Sequence, residues 1–297
     1  MTSRGRVISY ENRILSEYLD KDIPLLYNWI AKNQKETRRG IFIMFQSLGF
    51  QLYTVRDLLE SPESADAAYA EIRKLGYTEV HAFGSNLYED LLFKHGISVV
   101  GNHYDVDKIF NEPQETMALH RRWNTTNVGV GGMPVSARED LTSLKAFVKQ
   151  FNETAKRYGE EGFMLTYHNH NFEFARIDGC KTIMDILYEE LDPQNISFVL
   201  DTCWVAAGCG DVTDWMEKLK GRIDILHLKD AYIAQKENRF VPRITEVGNG
   251  NLAWDKIMVM AEKIGVKHYV VEQDNNWSPT PIDSLRISAE FLEKYKI

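Results

Sequence analysis

From Gly49 to the C-terminus, short apolar runs take turns with amphipathic stretches closed by glycine. "GFQLYTV" (49–55) opens the series, and "SPESADAAYAEIRKLG" (61–76) follows with a Ser/Pro start, apolar spacing of three and four, and a terminal Gly. Those are helix start and stop signals. "YTEVHAFG", "ISVVGNHY", "NVGVGGM", "GFMLTYHNH", "ISFVLDTC", "IDILHLKD" and "HYVVEQD" continue as strand candidates. Between them stand "NLYEDLLFKHG", "PQETMALHRRW", a long helix over roughly 138–160, "TIMDILYEEL", "VTDWMEKLKG" and "LAWDKIMVMAEKIG", with a closing helix from about Ile282 to Lys296. Strict alternation of strand and helix requires a parallel sheet with right-handed crossovers. Eight such units in about 250 residues fit a closed (β/α)8 barrel, a TIM barrel, better than an open doubly wound sheet. The first strand is not followed by the G-x-G-x-x-G spacing of a dinucleotide site. "GVGGMP" (129–134) is expected to be a tight turn at a strand end.

Residues 1–43 break this rhythm. "DKDIPLLYNWIAKNQKETRRG" is helix-compatible but ends in charge and precedes Met44. They are expected to be an appendage to a barrel spanning 44–297.

Composition narrows the chemistry. The net charge is −8 and the longest basic run is "HRR" at 120–122, which argues against binding a nucleic-acid backbone. Cys180, Cys203 and Cys209 are too few and too irregular for a disulfide framework or a paired Cys-x-x-Cys zinc site. No run approaches the about 20 apolar residues of a membrane span, and no signal-peptide pattern opens the chain. A cytoplasmic enzyme acting on a small molecule is the expectation. Homo-oligomerisation stays open.

The last four strands all end in metal-ligand residue types: His168 and His170, Asp201, His227, and Glu272. Side chains alternate faces along a strand. Asp201 shares phase with Val199, His227 with Ile225, Glu272 with Val270, and His168 and His170 with Thr166. Barrel enzymes place their chemistry at these C-terminal ends. One Asp, one Glu and imidazoles offer a divalent cation mixed oxygen and nitrogen donors, suiting Mn²⁺, Zn²⁺, Co²⁺ or Fe²⁺ without choosing among them. Singly, a strand-end His is more often a structural residue, and an Asp as in "LDTC" is commonly a helix cap. Four consecutive strands ending this way are much harder to assign to chance.

"GFQLYTVRD", "YHNHNFEF", "LDTCWV", "LHLKD", "EVGNGNLAW" and "VVEQD", in this order over about residues 49–297, resemble the xylose isomerase-like barrel superfamily of sugar phosphate isomerases and epimerases. The resemblance implies a single divalent metal held at the ends of the fifth to eighth strands, with Asp201, His227 and Glu272 as three ligands. His168 stands where the family carries its first Glu; Glu173, five residues on, is its rival for that place. The implied chemistry is proton abstraction next to a carbonyl or hydroxyl of a carbohydrate, with the enediolate stabilised by the metal. Acid/base candidates are Glu173, Glu272 and His170, and Lys229 is placed to neutralise an oxyanion or to pair with a neighbouring Asp. His103, Glu246 and Trp204 are candidate substrate contacts; Gln51 is placed either against substrate or on the barrel floor, and Asn169 is expected to be structural.

Rival readings remain. Some members with a "YHNHxFEF" pattern act on 3-keto-glycosides as lyases or hydrolases with the same metal. A non-catalytic sugar-binding barrel would keep the pocket without needing the metal. An apurinic endonuclease would require extra His and carboxylate ligands and a basic surface, which the sequence does not display. "EQDNNWSPTP" stands where a phosphate-binding Gly loop is looked for, which leans toward an unphosphorylated substrate.

Overall fold

The structure is a computed structural model describing residues 45–84 and 87–296; the appendage expected at 1–43 lies outside the described residues. Eight strands close into one parallel barrel: β1 (Leu48–Gln51), β2 (Tyr77–Phe83), β3 (Ser98–Tyr104), β4 (Asn127–Val130), β5 (Met164–His168), β6 (Ile196–Asp201), β7 (Ile223–Leu228) and β8 (His268–Val271). Each pairs with its neighbours in sequence, and β8 closes on β1 through Leu48↔Tyr269 and Phe50↔Val271. The fold expectation holds: this is a (β/α)8 barrel wrapped by helices.

The helices follow from their local chemistry. Pro62–Lys74 begins with Pro at its first position behind Ser61, whose hydroxyl accepts from the Ser64 N–H in a reciprocal capping box. The long helix runs Leu141–Glu160, starting later than expected because Asp140 caps it by accepting from the Ser143 N–H. Its buried stripe, Leu144, Phe147, Phe151, Ala155 and Tyr158, repeats at helical spacing and faces the barrel. Among the described residues no helix is long and apolar enough to cross a membrane.

Two local readings change. β1 ends at Gln51 rather than running to 55, because Leu52–Leu58 turns into a 3-10 helix whose first turn is capped when Gln51 Oε1 accepts from the Tyr53 N–H. Asp230–Lys236 and Arg239–Thr245 form an antiparallel hairpin after β7. Most of that hairpin is half-buried or exposed on both faces, so it leaves no apolar alternation to read in sequence.

The core has two parts. Most buried apolar side chains lie between the barrel and its helices. A separate cluster of Val100, Val199, Ile225 and Val270 fills the barrel interior. Three of these share phase with the strand-end residues Asp201, His227 and Glu272, so the same alternation that plugs the barrel aims those side chains at its mouth. Gly129 lies inside β4 rather than in a turn. A Cβ there would stand 2.5 Å from Thr166 Oγ1 and 2.9 Å from the Asn102 carbonyl, so only glycine fits this approach.

Candidate metal centre

His168, Asp201, His227 and Glu272 bring one ligand atom each within 4.8 Å of one another, all buried. They come from four successive strands, and Asp201 and His227 are direct partners across the β6–β7 ladder. His168 Nε2 lies 3.6 Å from Asp201 Oδ2 and 3.8 Å from Glu272 Oε2, and His227 Nδ1 lies 2.8 Å from Glu272 Oε2. Two atoms each about 2.1 Å from one tetrahedral ion stand about 3.4 Å apart, close to the two His168 spacings, while the His227–Glu272 pair is at hydrogen-bond distance. His168 Nε2 has no hydrogen-bond partner despite its burial. An orphaned imidazole nitrogen beside two carboxylates costs free energy unless something with a positive charge engages it. The donor set therefore fits a divalent cation.

Lys229, 1% exposed, is the cation this chain itself supplies. Its Nζ sits 3.1 Å from Asp201, 3.0 Å from Glu272 and 3.0 Å from Asp274. Three carboxylates against one ammonium leave a formal charge of −2, the complement of a divalent ion. Burial opposes the Lys229 charge, but Asp201, Glu272 and Asp274 outweigh it and hold the ammonium well above its usual range. Burial likewise opposes the Glu272 charge, yet Lys229 and His227 keep that carboxyl well below the usual range. For Asp201 burial wins and the shift is upward. Asp274 is pushed up to about 6, again by burial.

Five histidines crowd the mouth. His81 Nδ1 is 2.7 Å from His227 Nε2, and the His103 ring stands 4.2 Å from His81 and 4.8 Å from His168. Burial, then the neighbouring rings, pushes His81 and His103 well below the ordinary histidine range, and burial brings His168 and His170 down to about 3. They are neutral imidazoles with donor and acceptor nitrogens. If His227 ligates through Nδ1, its Nε2–H has His81 Nδ1 as acceptor; such outer hydrogen bonds fix the tautomer and ring orientation of a ligating histidine. Extra histidine ligands are not displayed by the sequence, yet His81 and His103 with His227 form a second close set. They sit on β2 and β3, where the strand-end rule applied to the second half of the barrel also applies.

The remaining candidates separate. Trp204 and His170 line the same chamber as Lys229 and Glu272, with Gln51 and His103, and the Lys229 ammonium lies 4.9 Å from the Trp204 ring centre. Asn169 accepts from the Asp201 N–H through Oδ1 and so supports the strand end. Glu173, read as first-ligand rival and acid/base candidate, is not brought to the cluster. A 3-10 turn over Phe172–Phe174 folds it back, where Oε1 accepts from the Tyr167 hydroxyl at 2.6 Å and Oε2 from the His170 N–H at 2.8 Å. Burial raises it to about 7. Its role is to hold the loop that carries His170. Glu246 is also turned from the mouth: it accepts from Ser284, Thr245 and Asn249, and these hydrogen bonds overcome burial to bring it to about 2.

The mouth holds two adjoining chambers. The inner one, about 350 Å³, is lined by His168, Trp204, Lys229, Glu272 and Asp274 among others. The outer one, about 600 Å³, extends past Tyr104, Met133, Arg138 and Phe172. Phe83, His103, Gly131 and His170 line both. A separate crevice of about 370 Å³ beside Ala206, Tyr232 and Leu252 is lined by none of the cluster's residues.

Comparison with solved structures gives the same architecture. A sugar phosphate isomerase/epimerase from Parabacteroides distasonis is 21% identical with a TM-score of 0.70, over 84% of this chain and 94% of that one. A xylose isomerase-like TIM barrel protein from Mycobacterium smegmatis, solved in complex with magnesium, is 11% identical with a TM-score of 0.61, over 84% and 96%. The IOLI protein, solved with a zinc atom, is 15% identical with a TM-score of 0.58, over 84% and 98%. No curated protein sequence matches significantly. The family model described as xylose isomerase-like TIM barrel matches residues 89–295, which takes in the ends of β3 to β8 and their polar side chains; this chain belongs to that family.

Proposed function

We propose that this chain is a metal-dependent isomerase or epimerase of a sugar or keto-sugar. The observation that carries the reading is the convergence of His168, Asp201, His227 and Glu272 from four consecutive strands into one buried, mutually spaced set. Magnesium and zinc in the structural relatives from Mycobacterium smegmatis and IOLI support a divalent ion at this place, and the Parabacteroides relative's designation supports the reaction class. A divalent ion bound there polarises adjacent sugar oxygens and spreads the negative charge that appears when a neighbouring carbon loses its proton.

The chain's own residues do the rest. Lys229, held between Asp201 and Glu272 in the chamber wall, steadies charge developing on the sugar. His170 and Glu272 face the chamber and are placed to take the proton from one carbon and return it to the next carbon or to the opposite face of the same one. Trp204 offers a ring face against which a sugar packs.

Elemental analysis of the purified protein, then a screen of ketoses, inosose-like polyols and keto-glycosides, tests the reading. We expect about one divalent ion per chain and turnover that disappears in His227→Ala; full activity in that variant would sink it. The outer chamber, too large to be needed by a lone sugar, favours a second reading, a lyase or hydrolase of 3-keto-glycosides using the same residues. Release of an alcohol from a 3-keto-glycoside separates the two.

A further inference from the structure

Resting on that reading of the inner chamber, we propose that the mouth takes a substrate of two joined parts: a sugar ring beside the ligand cluster and, in the outer chamber, a flat group bearing a carboxylate that Arg138 receives. Clefts that enclose small molecules measure about 300–1,000 Å³. The inner chamber, about 350 Å³, already reaches that range, and the outer adds about 600 Å³ behind a shared wall. Both carry charge, the outer one through Asp105, Asp107, Lys108 and Arg138, but they differ in their apolar faces. Carboxylates, imidazoles and an ammonium surround the inner space; Phe83, Met133, Pro134 and Phe172 give the outer one apolar faces.

Arg138 supplies the selectivity. Its guanidinium lies 3.9 Å from the Phe172 ring centre, and Phe172 in turn stacks on His170 at 5.4 Å with an interplanar angle of 12°. That column ties Arg138 to a residue of the inner chamber. Among the described residues Arg138 has no carboxylate within ion-pair distance. The other cation of the outer chamber, Lys108, is held by Glu112 at 2.9 Å and Glu115 at 2.7 Å. A stacked guanidinium with its N–H edge unclaimed matches a carboxylate in two parallel hydrogen bonds. Phe83 stands where the chambers meet, 48% exposed and edge-on to Tyr53 at 5.1 Å. An aromatic ring kept half in water at such a junction is a platform for a planar or ring-shaped group.

Benzoate and the neutral benzamide, titrated into the full chain loaded with Mg²⁺ and followed by amide chemical shifts, probe the outer chamber without knowing the sugar. We expect benzoate to shift resonances around Phe83 and Arg138 and to bind about tenfold tighter than benzamide, the scale of one charge-assisted pair. Arg138→Met should erase that advantage and leave benzamide unchanged, and Arg138→Lys should restore part of it. Equal binding of the two probes, shifts confined to the inner chamber, or a benzoate affinity indifferent to Arg138→Met would overturn the assignment. Calorimetric titration of Mg²⁺ alone reports separately on the inner site, so a failure there is distinguishable from a failure here.

Discussion

The buried carboxylates of the loops and those of the mouth are the same chemical groups put to opposite uses. Asp230, in the loop after β7, is saturated: it accepts from the N–H groups of Gly248, Gly250, Ala231 and Leu252 and from the Trp254 indole. Glu173 and Glu246 are satisfied in the same manner. Asp201 caps the next helix by accepting from the Trp204 N–H through Oδ1, but its Oδ2 and Glu272 Oε2 face the Lys229 ammonium and the imidazoles instead. The kind of donor, neutral N–H and O–H groups in the loops against an ammonium and imidazoles at the mouth, therefore separates carboxylates that hold the fold from those kept ready for a ligand, and it does so better than burial, which is nearly the same for both.

That contrast is open to attack at several points. The largest effect is expected in the mouth: His227→Ala or Asp201→Asn should lower affinity for divalent ions at least a hundredfold by calorimetry and abolish turnover, while the metal-free melting temperature changes little. Asp230→Ala should do the reverse, costing about 4 kcal/mol in denaturant unfolding because buried donors lose a charged acceptor, with metal stoichiometry preserved in the folded fraction. A mouth variant that unfolds, or an Asp230 variant that sheds metal without loss of stability, breaks the distinction.

Glu173 refines it through pH. Its folded pKa, about 7, is raised above its ordinary value of 4.5 by burial, so between those pH values the native state holds more protons than the unfolded one. Stability from this group is full below about pH 4.5 and declines as pH rises to about 7, by about 3 kcal/mol in total. Glu173→Gln should flatten that part of the stability–pH profile; an unchanged slope would rule out the assignment. The smallest expected change is at His81. Replacing it with Phe should weaken metal binding about 10–100-fold by removing the acceptor that orients His227, with Asn recovering part of the loss. Identical affinities in all three proteins would mean that the His81–His227 contact orients nothing.

Much of this was legible in the sequence, because period-two alternation fixes both what fills a barrel and what crowns it. Val199 predicts the direction of Asp201, Ile225 that of His227, and Val270 that of Glu272. Family likeness added the roles and put His168 at the first position. What escaped was whatever depends on how a loop turns. Glu173 lies five residues past His168, near enough in sequence to be a ligand, and only the 3-10 turn over Phe172–Phe174 sends it to Tyr167. Glu246 sits in "EVGNGN", and no spacing reveals that Ser284 waits for it. His81 and Asp274 required no turn to be found. His81 lies near the end of β2 after Thr78, Glu79 and Val80, in phase with Phe83, and inward phase rather than an apolar run reaches it once the first half of the barrel is read as closely as the second.

The four-residue plug of Val100, Val199, Ile225 and Val270 carries a consequence for how such a vessel is retuned. It is the floor on which the chemistry rests, so the depth to which a guest sinks is governed from underneath. Trimming Val270 to Ala, or enlarging Val100 to Leu, would lower or lift that floor by roughly a methyl group and leave every ligating atom in place. A lineage or an engineer changing guests has a dial that never touches the reactive groups.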